Sequence, residues 1–137
     1  EAIETSQSQD FVSKMDKSIK SYIAPGGANL SGGQKQRLSI ARAIARNPEI
    51  LIFDDSFSAL DYKTDKLLRK ELRRQAADAT IVIVAQRIGT IKDADKIIVL
   101  DQGKIAGIGK HKDLLKNCSV YQEIAYSQLS KEELENE

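Results

Sequence analysis

Ile50-Leu51-Ile52-Phe53-Asp54-Asp55 decides the fold. Four consecutive apolar residues followed by two carboxylates read as a short strand buried on both faces, the pattern of a parallel sheet. Working outward, Ile81-Val82-Ile83-Val84 is a second such run, rich in β-branched residues. Between them Tyr62–Ala77 reads as a helix, with Leu67, Leu68 and Leu72 inward and a solvated Lys/Arg face over Lys66–Arg74. Strand, helix, strand gives an α/β class.

Upstream, Asn47-Pro48 stops a helix that begins after Ser31 and runs to about Arg46. Leu38, Ala41, Ile44 and Ala45 share one face of it, and Ser31 with Gln34 fits a capping box. Ala24–Asn29 is a loop by its Pro and Gly content, and residues 1–15 read as one helix with Ile3, Phe11, Val12 and Met15 on one face. Downstream, Asp101-Gln102-Gly103 joins Ile97–Leu100 to Lys104–Ile108 as a hairpin. Two short helices, about 110–117 and 119–129, precede an acidic tail.

Composition narrows the function classes. The 137 residues carry 21 Lys+Arg against 20 Asp+Glu, a net charge of +1, which excludes a strongly basic nucleic-acid module. One cysteine, Cys118, excludes an internal disulfide framework and suits a reducing compartment. It sits in a polar loop context. The one histidine, His111, opens a predicted helix, where a surface or capping role is expected. No apolar run approaches the length needed to cross a bilayer. The chain starts at Glu1 and its only Met is Met15, so it reads as a piece of a longer protein.

Two motifs carry chemistry. Leu30-Ser31-Gly32-Gly33-Gln34 opens a helix, and a helix N-terminus with glycines lets a phosphate approach free N–H groups. An ordinary N-cap with a Gly-rich turn accounts for the same residues. Asp54, at the carboxyl end of a parallel strand, stands where α/β proteins bind ligands and suits a hydrated Mg2+. A solvated strand end followed by a helix cap accounts for it equally.

Taken together, Leu30–Arg37, Asp54-Asp55 with Ser58-Ala59-Leu60-Asp61, and Val84-Ala85-Gln86-Arg87 resemble the second half of an ABC transporter ATP-binding domain, of the exporter type. The resemblance covers nearly the whole chain. It implies part of a P-loop NTPase-type sheet flanked by helices, with part of the helical signature subdomain at residues 1–46, the ATP-binding core at 47–130 and a tail at 131–137. It implies that Ser31, Gly32 and Gly33 contact the γ-phosphate of ATP held by an opposing domain, with Gln34 and Asp61 as further cofactor-binding residues. Asp54 matches the Walker B aspartate, which holds Mg2+ through water. Asp61 matches the D-loop aspartate, and Ser21–Asn29 the segment that touches the membrane domains. The implied cofactors are ATP and Mg2+. The implied partners are a second ATP-binding domain, as a heterodimer, and transmembrane domains, with the segment at the cytoplasmic face of the membrane.

Two positions depart from the family pattern. Asp55 stands where the family has the Glu that activates water, withdrawing the carboxylate by about 1.5 Å. Gln86 stands where the family has the switch His, and Gln neither carries a positive charge nor shuttles a proton. Both changes beside an intact signature resemble the degenerate subunit of a heterodimeric exporter. A non-hydrolytic regulatory nucleotide-binding module and an ABC-type DNA-repair ATPase are the alternatives; the latter lacks support, since residues 1–29 hold no heptad repeat. No G-x-x-x-x-G-K-[ST] loop occurs in the chain, so the fragment by itself is expected to be inactive and not to bind Mg·ATP.

Overall fold

The computed structural model describes residues 1–129, and the acidic tail lies outside them. Two compact units divide the chain, Glu1–Val84 and the residues from Ala85 onward.

In the first unit the N-terminal segment is two single-turn helices, α1 (Ala2–Thr5) and α2 (Gln9–Val12), not the one helix expected over 1–15. The break is chemical. Ser6 Oγ donates to the Ile3 carbonyl and shares a second hydrogen bond with Ser8 Oγ, and Gln7 turns to a left-handed φ of 56°. Ser6 and Ser8 are fully buried, so this turn is an internal polar joint.

Helix α3 (Gly32–Ile44) follows a loop with two left-handed glycines, Gly26 and Gly27. It buries Ile40 and Ala41, while Ala45 is exposed, so the inward face is rotated from the expected one. Strand β1 (Ile50–Asp54) pairs in parallel with β2 (Thr80–Val84), Ile50 opposite Thr80 through Asp54 opposite Val84. Helix α4 (Tyr62–Gln75) makes the crossover. The core joins Ile40, Leu51, Phe53, Phe57, Leu60, Leu68 and Leu72.

The strands are not buried on both faces as expected. Leu51 and Phe53 are buried, whereas Ile50 is 61% and Ile52 69% exposed, and no β2 residue is fully buried. Successive side chains point to opposite faces of a strand. An unbroken apolar run therefore makes both faces apolar, but within this unit only one face is covered.

Helix α4 brings two further corrections. Leu67 points outward, 42% exposed. Arg69, expected on the solvated face, is buried and grips the buried Asp65 one turn earlier with two parallel bonds of 3.0 and 3.1 Å. Removing one partner of such a pair costs about 3–5 kcal/mol, because the other charge stays buried.

The second unit contains α5 (Ile88–Ile91), β3 (Ile97–Asp101), β4 (Lys104–Gly109), α6 (His111–Asn117) and α7 (Ser119–Gln128). Strands β3 and β4 form the expected hairpin, and both loop residues, Gln102 and Gly103, take positive φ (46° and 75°). That double left-handed turn matches the twist of the flanking strands. The register shifts after Val99, where Val99 faces Gly107 and Leu100 faces Ile105.

His111 and Cys118 are both buried, contrary to expectation. His111 Nδ1 and Tyr121 Oη share a 2.7 Å hydrogen bond. A Cβ at Gly107 would lie 2.9 Å from Cys118 Sγ and 3.0 Å from Leu114 Cδ2, so the bare glycine on β4 makes room for Leu114 of α6 and for Cys118 just after it. Ile88, Ile97, Val99, Leu114 and Ala125 complete this core.

Candidate functional site

Ser31 caps α3 as its sequence implies. Its Oγ accepts from Gln34 N at 3.3 Å, and Gln34 Oε1 accepts from Ser31 N at 2.9 Å. With Gln34 N taken by the cap, the amides of Gly32 and Gly33 are the ones left without intrahelical acceptors. Ser31 and Gly32 are exposed, and a Cβ at Gly32 would meet nothing nearer than 3.8 Å. The turn thus sets two N–H groups at the positive end of a 13-residue helix, with Gly32 exposed and Gly33 partly covered.

The loop after β1 lies directly against this turn. A Cβ at Gly33 would sit 3.1 Å from the Ala59 carbonyl oxygen, so glycine favours the close approach and a side chain there would press on the loop. Gln36, one turn into α3, bonds the loop at three points. Its Nε2 donates to the Asp55 carbonyl (3.3 Å) and to Ser58 Oγ (3.1 Å), and its Oε1 accepts from Ala59 N (2.9 Å).

Asp55 has a left-handed φ of 48°. Its backbone is held on both sides: the amide donates to the Val84 carbonyl at 3.1 Å, and its carbonyl also accepts from Ser58 Oγ at 3.0 Å. Asp54 ends β1, and both side chains are exposed. Asp61 caps α4, its Oδ1 accepting from Thr64 N at 3.0 Å. The Thr64 backbone N–H holds this carboxyl below its usual value of 3.8.

The first unit therefore gathers Ser31, Gly32, Gly33, Gln34, Asp55 and Asp61 around one helix start and one loop. Gln86 belongs to the second unit, exposed at the end of the segment leaving β2. There Gln128 of α7 binds the backbone twice, Nε2 donating to the Gln86 carbonyl (2.8 Å) and Oε1 accepting from Ile88 N (2.9 Å).

Gln36 and Gln128 are missed by motif reading. Gln36 was visible as part of the stretch extending the Ser-Gly-Gly turn, though its bonds were not. Gln128 lies 42 residues from Gln86 and carries no local signal.

The donor set fits the implied ligands. Asp54 offers a hard oxygen, but no group of three His, Cys, Asp or Glu side chains gathers among the described residues. A Mg2+ ion at Asp54 would thus depend on phosphate and water oxygens for its remaining ligands. Near the same turn, Tyr22 (76% exposed) and Ile23 (47%) stand in a loop that Asn29 closes with bonds to Ala24 N and the Tyr22 carbonyl. Among the described residues no helix is long and apolar enough to cross a membrane.

Comparison with known proteins gives one consistent result. Residues 3–58 match the family model described as ABC transporter. The chain is 48% identical over 128 residues to an uncharacterized ABC transporter ATP-binding protein of Mycobacterium tuberculosis, covering 93% of this chain and 22% of that protein. It is 45% identical over 106 residues to the alpha-hemolysin translocation ATP-binding protein HlyB of Escherichia coli, covering 77% and 15%. Among solved structures, a bacterial Atm1-family ABC exporter with ATP bound superposes with a TM-score of 0.87 at 37% identity, covering 95% of this chain and 23% of that one. The chain thus spans about a fifth of the length of such relatives.

Proposed function

The chain belongs to the ABC transporter ATP-binding family, and from that membership we propose that it is part of an exporter subunit whose own hydrolytic site is weak and whose signature completes a partner's site. The carrying observation is the contrast between an intact signature turn and two altered hydrolytic positions. Ser31, Gly32 and Gly33 retain an open, capped helix start suited to a γ-phosphate. Asp55 and Gln86 replace the family's Glu and His.

In this reading Ser31 and the amides of Gly32 and Gly33 bind ATP held on the opposing domain, with Gln34 fixing the turn. Asp54 would hold Mg2+, whose charge would offset that developing on the phosphate. Asp55 orients water at the chain's own site from a carboxylate set back by about 1.5 Å. Displacements of about 1 Å cost about 100-fold in rate. Gln86 hydrogen-bonds phosphate without supplying charge. Asp61 lies at the dimer contact between the two sites.

The partner is a second ATP-binding domain, forming a heterodimer with a stronger site. Exposed Tyr22 and Ile23 support contact of the 21–29 loop with transmembrane domains at the cytoplasmic face of the membrane. Residues 1–46 then act as part of the signature subdomain and 47–130 as part of the core. Without a phosphate loop, these 137 residues alone bind no Mg·ATP and turn over none.

The test is steady-state ATPase activity of the full-length protein, alone and with its partner subunit. Low activity alone and robust activity in the pair is the expected result. Strong activity alone overturns the weak-site reading. A second reading, a regulatory module that dimerises on ATP without turnover, is favoured by the same two residues; the paired assay separates it, since that module would leave the pair inactive.

A further inference from the structure

We propose that Gln36 is a positioning residue that fixes the signature turn to the Asp55–Ala59 loop, so that the two halves of the chain's chemistry move as one body. This rests on the reading above, in which Asp55 serves the chain's own ATP and Ser31–Gly33 serves the partner's.

The chemistry of the side chain is specific. A carboxamide offers a donor and an acceptor on one planar group. Gln36 uses both: it donates to the Asp55 carbonyl and Ser58 Oγ, and accepts from Ala59 N. The loop is thereby held at its first and last turns by one residue of α3. The contact is also hard. The Ala59 carbonyl oxygen lies 3.1 Å from where a Cβ at Gly33 would be, so helix start and loop approach closely with little room for a side chain between them. The Asp55 backbone is in turn bonded to Val84 at the end of β2. A shift of Asp55 is therefore carried through the amide of Gln36 to the helix start that presents Gly32 and Gly33.

Glu at this position keeps the acceptor, loses both donations and sets a carboxylate against the Asp55 carbonyl. Met keeps the length of the side chain and loses all three bonds. Both variants are tested in the full-length, partner-assembled transporter with Mg·ATP. Four quantities are read: kcat, KM, the thermal midpoint, and which subunit retains nucleotide when vanadate traps the hydrolysed site. The expected result is that both variants lower kcat about 10–100-fold, with KM and thermal midpoint near wild type. Trapping on the partner falls in step. A kcat within about twofold of wild type overturns the proposal. So does a kcat loss matched by falls in ATP binding and thermal midpoint, because that is a folding role only. The parent reading fails separately: wild-type trapping on this subunit as strongly as on its partner refutes the weak site while leaving the effect of Gln36 measurable.

Discussion

Two strand-end loops in this chain are each held by a single glutamine, and they differ in how that glutamine is supplied. The loop after β1 is held by Gln36, which comes from the motif helix itself and makes three bonds to residues 55–59. The segment after β2 is held by Gln128, from the last described helix, which makes two bonds to Gln86 and Ile88. The second clamp takes only backbone groups, the first two backbone groups and the Ser58 hydroxyl, and both leave the candidate side chains, Asp55 and Gln86, exposed. The difference is one of independence. The first loop's position is tied to the Ser31–Gly33 turn, so one change there moves both candidate elements. The second is tied to the packing of α7 against β3 and α5, so it responds to the stability of its own unit.

The strongest way to break the first clamp is from the other side of the contact. Gly33→Val places branched carbons against the Ala59 carbonyl oxygen, 3.1 Å from the new Cβ. ATP turnover of the assembled full-length transporter is expected to fall about 100-fold or more, measured at steady state. Turnover within tenfold of wild type would show that helix and loop separate freely.

The second clamp sharpens the comparison at smaller cost. Gln128→Leu removes both bonds to the 86–88 backbone while keeping an apolar stem. Losing a net bond of about 1 kcal/mol is expected to speed amide hydrogen exchange at Ile88 about fivefold. Exchange at Asp55, in the other unit, should stay unchanged. Equal acceleration at both would erase the distinction drawn here.

The smallest expected effect is at Asp61. Its carboxyl is held below 3.8 chiefly by the Thr64 backbone N–H, so the folded form favours the charged state. That contribution is present above the unfolded pKa and is lost as pH falls through the lowered folded value. Comparing wild type with Asp61→Ala, protection of the Thr64 amide should differ at pH 6 and converge below the folded pKa. A difference that persists in acid would assign the cap to something other than the carboxylate.

Legibility in the sequence followed the range of the interactions. The Ser31–Gln34 box and the Gln102-Gly103 turn were readable because each closes within three or four residues. The parallel strands were readable as apolar runs, but a run does not say which face is covered, and Ile50 and Ile52 lie bare. The break at Ser6-Gln7 was hidden because it depends on hydroxyl bonds competing with helix bonds. Arg69 looked like one of many surface cations until its partner Asp65 was found buried beside it. Cys118 was misplaced because it packs against Gly107 of β4, and His111 because it pairs with Tyr121 of α7, contacts made between elements. At the site, the candidate residues came from motif order, whereas the contacts of the two glutamines, made to residues distant in sequence, left no local signal.

The central claim is that Asp55 and Gln86 weaken this chain's own site while its signature remains competent. Its most direct test is the ATPase rate of the assembled full-length transporter carrying Asp55→Glu together with Gln86→His. A rise above the wild-type rate, with trapped nucleotide newly found on this subunit, is the predicted result. An unchanged rate with trapping still confined to the partner would contradict it.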